Sequence, residues 1–283
     1  MLRRLAFLIV AGCGAAIAKP AARPLTLTYL GVAGWQLEAD GHTVLADPYF
    51  SRPADRDAPL VPDVVAIAAH TPSRADLVMV GHSHFDHLLD APAVALRAGA
   101  RLLGSASTIR VGRAAGVPED QLIAVKGGED LELSGVSVRV IPSLHSEIGA
   151  AYLLGEIVEH PELPMPADGY AEGSTLAYLV RIAGREILIF DTANFIEREL
   201  AGLHPEIVIV APGLREKIHD YTCRLLHTLG DPPVVIATHF DDFTGPPIDS
   251  EPDSDLEAFA AEVARCSPHS KLVIPRHFAP MHF

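Results

Sequence analysis

Cysteine is scarce in this chain, with 3 residues in 283. That excludes a small fold held together by a disulfide framework. Long apolar runs are missing as well. None reaches the roughly 20 residues that a membrane-crossing helix needs, so the chain does not read as an integral membrane protein. Positive charge is in deficit: 22 Lys and Arg stand against 36 Asp and Glu, a net charge of −14. An acidic chain without a basic stripe is poorly suited to neutralise a phosphate backbone, so no nucleic-acid partner is expected. What the chain does have is apolar residues, at 49% of the total against 20% charged. A large core can form, which excludes a disordered chain. Histidine stands out, with 14 copies, several of them close together.

Residues 1–18, MLRRLAFLIVAGCGAAIA, read as an export leader. Arg3 and Arg4 give a positive start, and Leu5 to Ala11 form an apolar run at the short end for a signal peptide. Two exits follow. Ala16-Ile17-Ala18 fits the small-residue cleavage site of an ordinary secreted protein. Val10-Ala11-Gly12-Cys13 resembles the bacterial lipobox, with cleavage before Cys13 and lipidation of that residue. The apolar run ends at this Cys, which favours the lipobox. The expected location is the bacterial envelope or periplasm, with a lipid anchor at Cys13 holding the protein to a membrane surface. Residues 19–24 (KPAARP) form a linker, and a single catalytic domain is expected over 25–283. Export would place Cys223 and Cys266 in an oxidising compartment, where their Cα separation decides whether they pair.

Leu25 to Leu30 alternates apolar and polar residues, as a half-buried strand does. Trp35–Ala39 and Thr43–Ala46 read as a hairpin around Asp40-Gly41. Residues 51–62 carry Pro and charge and read as a loop. Leu77–Val80 is a short, wholly apolar strand. Helices are expected from Asp90 to Gly99 and from Ser105 to Ala115. Strands follow at Val136–Ile141, Leu176–Ile182 and Glu186–Phe190, the last two as a hairpin. Residues 155–173 read as a long irregular loop of functional size, containing His160 and Tyr170. The rhythm then becomes alternating: strand Ile207–Val210, helix Ile218–Leu229, strand Val234–Ala237, helix Asp255–Cys266 and strand Leu272–Ile274. Hairpins first and alternation later imply mixed sheets with helices packed outside.

The sharpest motif is His82-Ser83-His84-Phe85-Asp86-His87. Imidazole nitrogens and carboxylate oxygens are what zinc and similar divalent ions bind at catalytic sites. In an extended or turning segment, residues two apart project to the same side, so His82 and His84 can converge on one ion. Asp86 and His87 lie further on and can face a second. A solvated His-rich loop is the competing reading of the motif taken alone. His145, Asp191 and His239 each fall at the end of an expected strand, where separate segments can meet in a site.

These residues make the sequence similar to the metallo-β-lactamase superfamily. The match rests on HSHFDH (82–87), His145 at its strand exit, FDT with Asp191, and THF with His239. The resemblance implies an αββα sandwich of two mixed sheets with outer helices. It also implies two divalent metal ions, zinc by default with manganese or iron as alternatives. His82, His84 and His145 would hold the first ion, Asp86, His87 and His239 the second, and Asp191 would bridge them. Asp47 matches the family's early Asp, which orients the ligand loop; as a turn or helix-start Asp before Pro48 it would have no such role.

The opening Tyr29-Leu30-Gly31-Val32-Ala33-Gly34-Trp35 resembles the branch with ascorbate-6-phosphate lactonase and the N-acyl-phosphatidylethanolamine phospholipase D type enzymes. Val32 departs from that branch, where many members carry His or Asn. Asp191 argues against an antibiotic-degrading β-lactamase, and His84 against the flavodiiron oxidoreductases.

The expected activity is hydrolysis of a lactone, ester or phosphodiester by a metal-bridging hydroxide. The substrate would be a small molecule or a lipid. Asp86 would help orient the hydroxide, and Ser83 reads as a spacer, since no base is paired with it. His277, after the last strand, is a candidate donor to the oxyanion or leaving group; as an ordinary surface or core His it would do neither. A lipid-directed phosphodiesterase at the envelope and a non-catalytic metal-binding lipoprotein are the alternative functions.

Overall fold

The computed structural model describes residues 23–133, 135–149, 155–243, 245 and 255–283. The leader reading of residues 1–18, Cys13 included, lies outside them. Two seven-stranded sheets make up the frame. In the first, β1 (Thr26–Gly31), β2 (Gly34–Ala39), β3 (His42–Ala46), β4 (Leu77–Met79), β5 (Arg101–Gly104) and β6 (Leu122–Ala124) lie side by side in chain order. The C-terminal strand β14 (Pro280–His282) closes its β1 edge. The second sheet runs β7 (Asp130–Leu133), β8 (Val136–Pro142), β9 (Leu176–Ile182), β10 (Arg185–Ile189), β11 (Ile207–Val210), β12 (Val234–Ala237) and β13 (Lys271–Val273). Both sheets are mixed: hairpins pair antiparallel, and β3 to β6 and β10 to β13 pair parallel.

The side-chain period of two divides the central strands β3, β4 and β5 of the first sheet between two cores. Val44, Ala46, Leu77 and Met79 face the second sheet, in one cluster with Val138, Val140, Leu179 and Ile187. Leu45, Val78, Val80 and Leu102 face the other way. There they meet residues of helices α1 (Val64–His70), α3 (Ala91–Ala98) and α4 (Ala106–Ala114). Between α1 and α3, the single turn α2 (Phe85–Leu88) starts immediately after His84. On the second sheet, after the short α5 (Glu197–Leu200), helices α6 (Tyr221–Thr228) and α7 (Leu256–Cys266) bring Leu225, Leu226, Phe259 and Val263 to the inner cluster. The helices have local reasons to start where they do. The carboxylates of Asp63 and Asp255 and the hydroxyl of Ser105 accept amides in the first turns of α1, α7 and α4.

This is the αββα sandwich expected from the sequence. Asp90 differs from a helix-start residue in its chemistry: it precedes α3 but makes no side-chain cap there. Its buried carboxylate instead accepts the amides of Phe50 and Ser51 at 2.5 and 2.8 Å, together with the Ser51 hydroxyl. The helix expected over 218–229 is shorter, because Asp220 takes a left-handed conformation and α6 begins only at Tyr221. Cys223 of α6 and Cys266 of α7 form a disulfide, with Cα atoms 4.8 Å apart. Among the described residues, no helix is long and apolar enough to cross a membrane.

Candidate metal centre

Five strand exits point to one place. Asp47 follows β3, Gly81 and His82 follow β4, His145 follows β8, Asp191 follows β10, and His239 follows β12. Polar groups can gather there because the ladders have ended and the apolar runs lie behind them. Three groups of side chains put their ligand atoms within 4.8 Å of one another: His82, His84 and His145; His82, His87 and Asp191; Asp86, His87 and His239. The centroids of the His82, His84 and His145 rings are 4.6 to 4.7 Å apart, each pair edge to face. The Asp191 carboxylate lies between the sets, with Oδ2 at 2.6 Å from His82 Nδ1 and 3.7 Å from His87 Nδ1. Asp86 Oδ2 is 3.4 Å from His87 Nε2 and 3.2 Å from His239 Nε2.

The motif reaches both sets because its local structure changes midway. His82 and His84 precede the helix and project together; Asp86 and His87 sit in the α2 turn and project elsewhere. Glycine is required at position 81, since a Cβ there would lie 2.1 Å from Asp191 Oδ2. Asp47, at φ 42°, is not a helix start. Its Oδ1 accepts the Gly81 amide at 2.8 Å and its Oδ2 faces His87 Nδ1 at 3.7 Å, so it holds the ligand loop.

These residues fit metal ions. His87 is fully buried, yet neither ring nitrogen has a hydrogen-bond partner. A buried polar atom of this kind is costly without a partner, and a cation supplies one. Burial, then the neighbouring imidazoles, hold His82 well below the usual histidine range. Burial and His84 bring His145 down to about 4. Neutral imidazoles keep the lone pair that a metal takes. Burial and the Asp47 charge push the Asp191 carboxyl up, a cost that a divalent cation beside it would offset.

The cluster opens on a cavity of about 1080 Å³. All five histidines and Asp86 line it, with Arg56, Phe85, Tyr170 and Phe243 among the other walls. The loop over 155–173 thus contributes Tyr170 but not His160. His277 is not among the lining residues. Its Nε2 is taken by Asp241 Oδ2 at 2.9 Å, in a buried network with Tyr29 and Arg52. The candidate donor to the oxyanion or leaving group thus has its hydrogen bond on the scaffold. Trp35 is core, with its indole N–H on Thr238 Oγ1 at 2.9 Å.

Sequence reasoning missed the residues that tie the exits together. Ser146 and Thr192 share a hydrogen bond at 2.6 Å, and the Ala193 amide donates to Ser146 Oγ at 2.7 Å, so the β8 and β10 exits are fixed to each other. Tyr178 reaches from β9 to the Val80 carbonyl at 2.7 Å, joining the two sheets beside the motif. Ser146 and Thr192 had a sequence signal in their places beside His145 and Asp191, whereas Tyr178, in the middle of β9, had none.

A two-sheet sandwich with histidines and aspartates converging at the strand exits defines a protein of the metallo-β-lactamase fold. The chain belongs to the β-lactamase superfamily domain family, whose model matches residues 26–188. It is 29% identical over 255 residues to the UPF0173 metal-dependent hydrolase MK1542 of Methanopyrus kandleri, covering 88% of this chain and 96% of that one. Among solved structures it is similar to Igni18, a metallo hydrolase from Ignicoccus hospitalis, at 20% identity and a TM-score of 0.65, covering 92% of this chain and 99% of that one. It is also similar to the metallo-β-lactamase fold protein YhfI from Bacillus subtilis, at 11% identity and a TM-score of 0.60, covering 92% and 100%. At such identities the structural likeness shows the fold alone.

Proposed function

We propose that this metal-dependent hydrolase of the metallo-β-lactamase superfamily works through a dinuclear centre and uses water to open a lactone, ester or phosphodiester. The observation that carries the reading is His87, buried with neither ring nitrogen in a hydrogen bond and with carboxylate oxygens of Asp86 and Asp191 at 3.4 and 3.7 Å. A structural histidine this deeply buried would be expected to close a hydrogen bond with one of them. His82, His84 and His145 would hold one ion, Asp86, His87 and His239 the other, with Asp191 shared. Divalent ions there, zinc by default, would supply hydroxide at neutral pH and polarise the carbonyl or phosphoryl oxygen.

The chain's own groups do the rest. Asp47 and Gly81 keep the motif turned toward Asp191. Asp86 lines the cavity, where a carboxylate oxygen can accept a hydrogen bond from the attacking water and so aim it. Ser83 is not placed as a nucleophile: its hydroxyl faces Ser105 and Thr108, at 3.2 Å from each. The Cys223–Cys266 disulfide supports the export reading of residues 1–18, because such bonds persist in oxidising compartments.

The test is elemental analysis of the purified protein and of Asp191→Ala, followed by assays on lactones, p-nitrophenyl esters and bis(p-nitrophenyl) phosphate. The expected result is about two metals per chain, fewer in the variant, and turnover that a chelator abolishes. A well-folded protein that takes up no metal after reconstitution would overturn the reading. Radiolabelled palmitate incorporated by the wild type and lost in Cys13→Ala would support the lipid anchor.

A further inference from the structure

We infer that Arg56 anchors a negatively charged group of the substrate, so that the enzyme acts on carboxylate- or phosphate-bearing esters in preference to neutral ones. This rests on the hydrolytic reading above and deepens it. Arg56 lines the same cavity as the candidate metal ligands. Its guanidinium carbon lies 5.3 Å from the centroid of the Phe243 ring. That ring is in turn 6.2 Å from the His239 ring and 6.1 Å from Phe85, edge-on to both. One phenyl ring thus separates the cation from a candidate metal ligand. A substrate with its scissile group at the metals and an anionic end a few bonds away would reach both.

Arg56 has no ion-pair partner among the described residues. By contrast, Arg52, on the same loop, is paired with Asp241. Asp57 and Asp168 line the same cavity, and neither forms an ion pair with it. A guanidinium on an aromatic face keeps its N–H groups free at its edge, where they match a carboxylate or phosphate in bidentate fashion.

Both the base of the side chain and its platform are held. The Ala167 amide donates to the Arg56 carbonyl at 3.1 Å and the Leu60 amide to Met165 at 2.9 Å, binding the loop of residues 51–62 to the 155–173 segment. Tyr49 Oη donates to the Phe243 carbonyl at 3.2 Å, and Arg52 Nη1 to the Asp242 carbonyl at 2.6 Å. The overall charge of −14 repels an anionic substrate, so a local cation beside the metals is what would draw one in.

The experiment uses the metal-loaded full chain and two esters of equal length, p-nitrophenyl hexanoate and mono-p-nitrophenyl adipate. The expected result is a higher kcat/KM for the adipate. In Arg56→Ala, the ratio of adipate to hexanoate kcat/KM should fall by about ten- to a hundredfold, through KM, with partial rescue in Arg56→Lys. A purely structural role would lower both esters alike and leave the ratio unchanged; that result, or equal rates on both esters in the wild type, overturns the anchor. The p-nitrophenyl ester of 6-phosphonohexanoate distinguishes a phosphate-like end from a carboxylate. If the two-metal protein turns over no ester or phosphodiester, the hydrolytic reading fails by itself. Calorimetry with adipate then decides on the anchor: weaker binding in Arg56→Ala supports it, and equal binding overturns it.

Discussion

Val32 and Asp241, 209 residues apart, hold each other where the two sheets meet: the Val32 amide donates to Asp241 Oδ1 at 2.8 Å. The Val32 carbonyl accepts the His239 amide at 2.6 Å and the Thr238 hydroxyl at 3.0 Å. Asp241 also accepts Tyr29 Oη at 2.6 Å and His277 Nε2 at 2.9 Å. Those hydrogen bonds and the Arg52 guanidinium outweigh its burial and hold its carboxyl well below the usual range. This network sets the backbone of His239, which sits at φ 49°. A histidine at positive φ needs surroundings that impose it. Asp241→Ala would strand several buried donors and should cost on the order of 3–5 kcal/mol. Urea unfolding reads the stability, and elemental analysis should show one metal lost. Two metals retained at full occupancy would mean that His239 does not depend on Asp241.

Val32 itself stands at φ 53°, a conformation that β-branched residues avoid. Truncation to alanine removes buried side-chain atoms and leaves the backbone strain; truncation to glycine relieves the strain. Val32→Gly should therefore unfold later than Val32→Ala, by about 1 kcal/mol, the reverse of the order in a helix or strand interior. Chemical denaturation of the pair measures this, and Val32→Ala being the more stable would sink the argument.

At Gly81 the constraint is space. A methyl group there would lie 2.1 Å from Asp191 Oδ2 and 3.1 Å from its Cβ, so the carboxylate must shift. Gly81→Ala should fold but bind less than half of the wild-type metal, with activity falling along with it. Unchanged metal content would show that Asp191 can move aside without consequence.

Neither cysteine of the disulfide lines the metal cavity; the bond links α6 to α7 across a sequence separation of 43. Closing such a loop restricts the unfolded chain, so the Cys223→Ser, Cys266→Ser double variant should lose about 2–4 kcal/mol. Metal content should not change. A loss of metal in the variant would tie these helices to the site.

Asp90 supplies a pH dependence outside the metal ligands. Burial raises its pKa to about 6, despite the hydrogen bonds from Ser51 and Phe50 that lower it. Its folded pKa is above its unfolded one, so the stability it contributes is complete below about pH 4 and is lost as pH rises through about 6. Asp90→Asn cannot ionise. Between pH 4 and pH 7 the stability of the variant relative to wild type should therefore shift in the variant's favour, by up to about 3 kcal/mol. Parallel stability curves for the two proteins would show that Asp90 stays in one protonation state throughout.

The sequence by itself determined the local features. Six consecutive residues, His82 to His87, carry four of the candidate ligands, because two-residue spacing before a helical turn is a property of the backbone alone. His145, Asp191 and His239 were legible because β8, β10 and β12 are apolar runs whose ends can be read. Short strands with weak patterns escaped: β5, β6, β7 and β14, along with helix α1. β14 lies beside β1 only because the chain end returns over more than two hundred residues, with Thr26 opposite His282. The tertiary structure alone decided that His277 turns toward Asp241 instead of the cavity, that Asp47 grips Gly81, and that Arg56 lies on Phe243. Each depends on the register in which distant strands meet and on which loops close against each other. Periodicity along the chain records which face of a strand is buried, but not which residue it will find there.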